Sequence, residues 1–292
     1  MRHPLFALAV VSVLFHACSG GDVGEQPIEF VHTRYADSLQ VGVIRYASAQ
    51  DEAAGGQPVC HSKVDVVTLS ANNNTDAALT AVVDSINRYI TGVFLQAPLG
   101  STAEEAVRAY VGQQVAEFDT EVRRWFAVSY EARFGEDGAA EGDEGSVLAG
   151  YNSFDYSASS SAWLGRRDSV VCYRFCDERY SGGAHPMRWT TCTTFSLRSG
   201  RALGWRDVFG EEMREVLVQL IRQRLLDYVG VSSSDFSEFY EAFFGEVFVS
   251  DNMLLDRDSV IFHYDPYEVL PYVYGDVEVG FRYEEIGDLF RP

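Results

Sequence analysis

Between residues 77 and 95, apolar side chains recur at spacings of three and four: Leu79, Val82, Val83, Ile86, Ile90 and the pair Val93–Phe94. That spacing predicts a helix with one buried stripe. The polar stretch 72–76 ahead of it is turn-like and supplies N-cap residue types. Pro98 and Gly100 end the pattern. Ser101-Thr102-Ala103-Glu104-Glu105 then opens a second helix. Its inward side reads Val107, Val111, Val115, Phe118, Val122 and Trp125, and it stops near Phe134-Gly135. A third amphipathic helix is predicted over 211–229, with Met213, Val216, Leu217, Leu220, Ile221, Leu225 and Val229 inward, and a shorter helical piece over 236–244. Elsewhere the period shortens to two. Strands are expected within 28–47, at 64–69, through the β-rich stretch 147–197, as strand-turn-strand over 247–262, and over 272–283 before a closing helical turn. Helices and strands mix without a regular βαβ alternation, so the expected class is α+β, with antiparallel sheets packed on amphipathic helices in two modules.

The segment R-Y-S-G-G-A-H-P-M-R-W, residues 179–189, separates two alternating runs. Before it, Val171, Tyr173 and Phe175 share one face; after it, Trp189, Thr191, Thr193, Phe195 and Leu197 share one. Residues facing each other across an antiparallel pair point the same way. Matching the apolar faces therefore pairs odd residues with odd ones. A two-residue turn at Gly182-Gly183 would pair odd with even, so a longer connection or a bulge is expected. The same register places Cys172, Cys176 and Cys192 on one face.

Charge and cysteine usage narrow the partners. The chain has 43 Asp and Glu against 23 Lys and Arg, a net charge of −20. A nucleic-acid backbone or an anionic membrane surface needs a basic face, so neither is an expected partner. The acidic balance favours basic partners. The acidic, Gly-rich run 135–146 lacks the fixed carboxylate offsets of a calcium loop and reads as solvated. Arg2 and His3 precede an apolar run, 5–14, too short to span a bilayer of about 30 Å. It reads as a secretory signal peptide over 1–17. Ala17 before Cys18 is similar to a lipobox, which makes Cys18 the lipidated residue, with 18–27 as a flexible tether. Membrane attachment is expected through that lipid alone, at the bacterial cell envelope. Cys60, Cys172, Cys176 and Cys192 are then disulfide candidates in an exported chain, with the pairing open. A metal set drawn from Cys172, Cys176, His185 and Cys192 lacks close C-x-x-C pairs, and no metal or cofactor is expected.

Tyr180-Ser181-Gly182-Gly183-Ala184-His185 resembles a Y-x-G-G-A-H motif of bacterial envelope proteins. Thr193 to Gly200 and Leu203 to Phe209 follow as they do there. The segment Phe262-His263-Tyr264-Asp265-Pro266-Tyr267-Glu268-Val269-Leu270-Pro271-Tyr272 is similar to F-x-Y-x-x-Y-E-I-x-P-Y, and Ser85-Ile86-Asn87-Arg88-Tyr89-Ile90 to an I-N-x-x-I helix. By these motifs the chain resembles the extracytoplasmic region of RsiV-type lysozyme-sensing anti-sigma factors, and the non-catalytic N-terminal part of the peptidoglycan deacetylase PdaC. The resemblance implies a PdaC N-terminal-like module over 28–197 and an RsiV C-terminal-like module over 198–292. It covers most of residues 59–290. A sigma-binding segment and a deacetylase domain have no counterpart in the sequence, so neither activity is expected.

The expected function is a non-enzymatic envelope lipoprotein that binds a protein or glycan. A basic lysozyme or peptidoglycan is the partner the resemblance implies. Contact candidates are Tyr180, Gly182, Gly183, His185, Tyr264, Tyr267 and Tyr272, whose aromatics can stack on sugars or enter a partner's cleft. His185 beside Pro186 can equally serve by fixing the loop. An alternative is a peptidoglycan hydrolase using Asp265, Glu268 and His185; no Gly-x-Ser-x-Gly elbow or HExxH helix supports it. A structural or assembly lipoprotein is the third reading.

Overall fold

The computed structural model describes residues 29–34, 39–49, 59–71, 77–122, 153–181, 185–230, 232, 234–235, 238 and 247–290. The leader, Cys18, the acidic run 135–146, Gly182, Gly183 and most of 236–244 lie outside the described residues. Among the described residues, seven strands form one sheet in sequence order: β1 (Glu29–Arg34), β2 (Leu39–Ala49), β3 (Val59–Ala71), β4 (Ser153–Leu164), β5 (Val170–Tyr180), β6 (Met187–Ser196) and β7 (Ala202–Leu203). All neighbours are antiparallel except β3 and β4, which run parallel. Between those two come helices α1 (Ala77–Tyr89) and α2 (Ala103–Glu117), each continued by a π turn, Ile90–Phe94 and Phe118–Val122. The class is α+β.

The helical stripe packs on the sheet as the periodicity requires. Val83, Ile86, Ile90 and Phe94 are buried, whereas Val93, expected inward, is half exposed. The π turn supplies the reason: its wider winding keeps Phe94 inward and rotates Val93 out. Phe94 stacks on Tyr173 and Phe175 of β5, with centroids 5.3 and 5.4 Å away. The α2 cap is a reciprocal one, Thr102 Oγ1 accepting from the Glu105 N–H while the Glu105 carboxylate accepts from the Thr102 N–H.

Asn87 has a specific task. The β3–β4 ladder ends at Asp65–Ser159. Beyond it Leu69 would present an open edge. Asn87 Oδ1 accepts from the Leu69 N–H at 2.9 Å, and its Nδ2 donates to the Leu69 carbonyl at 2.7 Å. The side chain thus replaces the missing strand. Asn87→Ala leaves both groups of Leu69 unsatisfied and is expected to destabilise the fold by about 2 kcal/mol, read by denaturant unfolding; Asn87→Asp keeps the acceptor but turns an oxygen on the Leu69 carbonyl where Nδ2 donated, and should be no milder.

A second layer follows among the described residues. A short helix α3 (Trp205–Val208) leads to α4 (Arg214–Val229), and a three-stranded antiparallel sheet follows in the order β10 (Val277–Arg282), β9 (Ser259–Tyr264), β8 (Met253–Leu255). Helix α5 (Tyr283–Ile286) and a 3-10 turn (Gly287–Leu289) close the described chain. Trp205, Phe209, Leu217, Ile221, Leu225, Phe262, Val279 and Phe281 form one core. Val216, expected inward on α4, is exposed. The two sheets meet across the even-numbered face of β6. Thr194 Oγ1 donates to the Met253 carbonyl and accepts from the Leu255 N–H, both at 3.0 Å. Asn252 Nδ2 donates to the Thr190 carbonyl at 3.1 Å. No described helix is long and apolar enough to cross a membrane.

The β5–β6 register pairs Tyr173 with Thr193 and Phe175 with Thr191, odd with odd, and the connection runs from Ser181 to Pro186. The disulfides expected from the same face are not formed: Cys172, Cys176 and Cys192 are thiols with no bridge among them. Register is the reason. Cys192 stands opposite Arg174, Cys172 opposite Thr194 and Cys176 opposite Thr190. Diagonal neighbours on a ladder lie roughly 7–8 Å apart, beyond the usual disulfide Cα span of about 4.4–6.8 Å. Cys60 packs elsewhere, against Phe118, Phe154 and Tyr156. Burial pushes the Cys172 thiol up to about 12 and the Cys192 thiol up to about 11, the latter against the pull of Arg174.

Candidate functional site

The loop between β9 and β10, residues 265–276, carries Tyr267 and Tyr272 and meets His185. It opens on a turn, Asp265-Pro266-Tyr267-Glu268, closed by the Glu268 N–H donating to the Asp265 carbonyl at 3.1 Å. Pro266 presets the first turn angle. Tyr267 takes φ of 72°, a left-handed conformation that a bulky residue adopts only under constraint. Its ring is half exposed as a result. A short 3-10 turn, Tyr272–Tyr274, follows and ends at Gly275, whose φ of 65° and ψ of −150° are open essentially to glycine alone.

Tyr272 and His185 meet face to face, with centroids 3.7 Å apart and planes 17° from parallel. Tyr272 Oη donates to the Pro186 carbonyl at 3.0 Å, and His185 Nδ1 lies 3.1 Å from that same carbonyl. The hairpin tip of β5–β6 is thereby fastened to the second layer. Tyr267 leans on Tyr272 at 5.7 Å. Tyr274 leans on Tyr228 of α4 at 6.1 Å. Tyr228, Tyr267, Val273 and Tyr274 are the exposed members of this surface, Val273 the most so at 85 %. Tyr180 is partly exposed at the end of β5. Tyr264, expected to contact a partner, belongs instead to the core. It is 0 % exposed, and its hydroxyl donates to the Phe248 carbonyl at 2.7 Å. Its place on β9 points it away from the loop surface.

Beneath the loop lies a charged constellation. The β9–β10 register pairs His263 with Glu278 and Tyr264 with Val277. His263 is buried; its Nε2 lies 3.2 Å from Asp265 Oδ1 and its Nδ1 3.7 Å from Glu278 Oε1. Burial alone would lower the imidazole's basicity. The hydrogen bond with Asp265 and the facing Glu278 carboxylate outweigh it and raise His263 to about 9. Arg174 of β5 pairs with Glu278. Asp265 Oδ1 also accepts the Thr190 N–H at 2.7 Å, and Glu268 accepts the Asp265 N–H at 2.8 Å. The two carboxylates of the hydrolase alternative are therefore tied to backbone, and His185 stands with the Tyr272 ring. Sequence reading passed over His263, Asp276, Glu278 and Arg174. The signal lay in His263-x-Asp265 at the end of an alternating strand, where a histidine falls on the inward face.

Residues 206–284 match the family model DUF3298, described as a protein of unknown function. The matched stretch runs from α3 to the start of α5 and contains the whole 265–276 loop. No curated protein matches the chain. Among solved structures, a DUF3298 family member from Bacteroides fragilis is similar, with a TM-score of 0.68 and 23 % identity over 87 % of this chain and 94 % of that one. A DUF3298 family protein from Pseudomonas aeruginosa has a TM-score of 0.53 and 16 % identity over 88 % of this chain and 96 % of its own. These likenesses carry the fold.

Proposed function

We propose that this chain is a non-enzymatic, lipid-anchored protein of the bacterial cell envelope that docks a protein or glycan partner on the aromatic surface around Tyr272. The observation that carries the reading is the stacked His185–Tyr272 pair with Tyr267, Val273 and Tyr274 exposed beside it. Aromatic side chains held rigidly and left partly wet are the residue types that dominate recognition surfaces. The partner of choice is a basic muramidase. Its support is the net charge of −20 together with the resemblance of the motif segments to lysozyme-sensing proteins. Complementary charge of this kind raises encounter rates by roughly 10- to 1000-fold at low salt. The apolar leader ahead of Cys18 supports export and anchoring.

Calorimetric titration of the full chain with a basic lysozyme, at low and at physiological salt, tests the proposal. Binding is expected to persist at physiological salt, because the aromatic contacts are not screened. Binding confined to low salt would reduce it to charge attraction. Absence of binding to lysozyme and to peptidoglycan fragments at micromolar concentration would remove the recognition reading and leave a structural lipoprotein. No release of fragments from peptidoglycan is expected; measurable turnover would overturn the non-enzymatic assignment.

A further inference from the structure

The aromatic loop is closed at its base by two carboxylates. Asp265 follows the last residue of β9 and Asp276 precedes the first of β10, one step beyond the Tyr264–Val277 pair. His263 and Glu278 form the pair one step inward. In an antiparallel ladder this parity puts all four side chains on one face. That face looks toward β6, since the Thr190 N–H reaches Asp265.

We propose that His263, Asp265 and Asp276 bind a divalent first-row transition cation, such as Zn2+ or Mn2+, which clamps the base of the 265–276 loop. Each residue offers a ligand atom, and these atoms lie within 4.8 Å of one another. Nε2 of His263 and Oδ1 of Asp265, 3.2 Å apart, can share an ion at bond lengths of about 2.0–2.2 Å, the ion displacing the Nε2 proton to solvent. The surroundings resemble those of a ligating histidine. Such a ring donates its second N–H to a carboxylate. Here Nδ1 is buried, has no hydrogen-bond partner, and faces Glu278. Arg174 holds Glu278 in turn. The Thr190 N–H fixes the Asp265 carboxylate. Arg188 Nη1, 3.9 Å from Asp276 Oδ2, is the neighbouring cation that the ion must share the carboxylate with.

One nitrogen and two oxygens select the metal class. Calcium and magnesium favour all-oxygen shells, whereas zinc, manganese and cobalt accept imidazole beside carboxylates. Three protein ligands leave positions for water. The ion would neutralise the facing carboxylates and join the start of the loop to its end. Tyr267, Tyr272, Val273 and Tyr274 all lie between those two points. The clamp does not depend on which partner the loop takes.

Titration calorimetry of the full chain, stripped with chelator, decides the matter with Zn2+ and Mn2+ as probes. One equivalent is expected to bind. Asp276→Asn and His263→Gln should each weaken binding by at least about tenfold, the effect that second-shell changes alone can reach. Co2+ should give a visible d–d band that His263→Gln removes. Asp276 is partly exposed, so Asp276→Asn should melt with wild type and decides the question even if the His263 variant does not fold. Two results would overturn the clamp: no saturable binding at micromolar metal, or saturable binding unchanged in Asp276→Asn, which would assign the ion to the acidic surface.

Discussion

Gly165→Ala is expected to be among the most damaging single-methyl changes in this chain. Gly165 joins β4 to a tight turn, its N–H donating to the Val170 carbonyl at 3.0 Å. Its φ of −96° is open to any residue, so space alone demands glycine. A Cβ there would stand 2.1 Å from the Leu255 carbonyl oxygen, 2.8 Å from Cys172 Sγ and 2.9 Å from Val170 Cγ2. Leu255 ends β8, so the methyl group would wedge the second sheet off the first. Cys172 and Leu254 belong to the apolar cluster sealing that joint, and Trp163 Nε1 donates to Asp256 beside it at 2.8 Å. Overpacking of this kind costs typically 1–3 kcal/mol. A backbone atom as the obstacle places Gly165→Ala at the upper end, about 3 kcal/mol. Thermal unfolding should then move down by roughly 6–12 °C for a chain of this size. Adding Cys172→Ala removes the sulfur contact but not the carbonyl, so it should restore little. A melting temperature within about 2 °C of wild type would show that the sheets are not in this close approach.

The close approach itself was not legible in the sequence, because it joins residues about ninety positions apart. What could be read was local or governed by parity. The stripe from Leu79 to Phe94 became α1 with its π turn, and only the wider winding at Ile90 to Phe94 escaped the count, turning Val93 outward. The odd-with-odd pairing of β5 and β6 followed from matching apolar faces, since a slip of one residue inverts every side chain. Sharing a face is necessary for a bridge, but Cys192 faces Arg174, a detail of stagger that face-matching does not reach.

The candidate site divides the same way. Tyr267, Tyr272 and His185 were marked by composition and motif, and the fold sets them against one another. Tyr264 was marked for the same reasons and is core, because alternation on β9 sends it to the face opposite His263. The charged residues beneath the loop gave no comparable signal. His263 and Glu278 become partners only through a connection of twelve residues whose folding decides the register. A polar cluster assembled by such a loop is invisible until the two strands are known to pair.

Tyr272→Ala is expected to reduce affinity for the docked partner by roughly 30-fold or more, the 2 kcal/mol or greater effect of an aromatic hot spot. The ring does two things. It forms the floor on which Tyr267 leans, and it fastens the hairpin tip through His185 and the Pro186 carbonyl. Tyr272→Phe separates them: it keeps the stack and loses the hydroxyl's hydrogen bond. That loss, about 1 kcal/mol, corresponds to roughly a fivefold weakening. His185→Ala should resemble Tyr272→Ala if the stacked pair acts as a unit. Their double variant should then be no worse than either alone, since contacting residues are not additive. Val273→Asp supplies the control for folding. Its side chain is 85 % exposed, so its melting temperature should match wild type while the charge disrupts an apolar contact. Titration of all five variants with a basic lysozyme at physiological salt reads the result. Unchanged affinity in Tyr272→Ala and Val273→Asp together would move the binding surface off this loop; loss in Val273→Asp without loss of stability would fix it there.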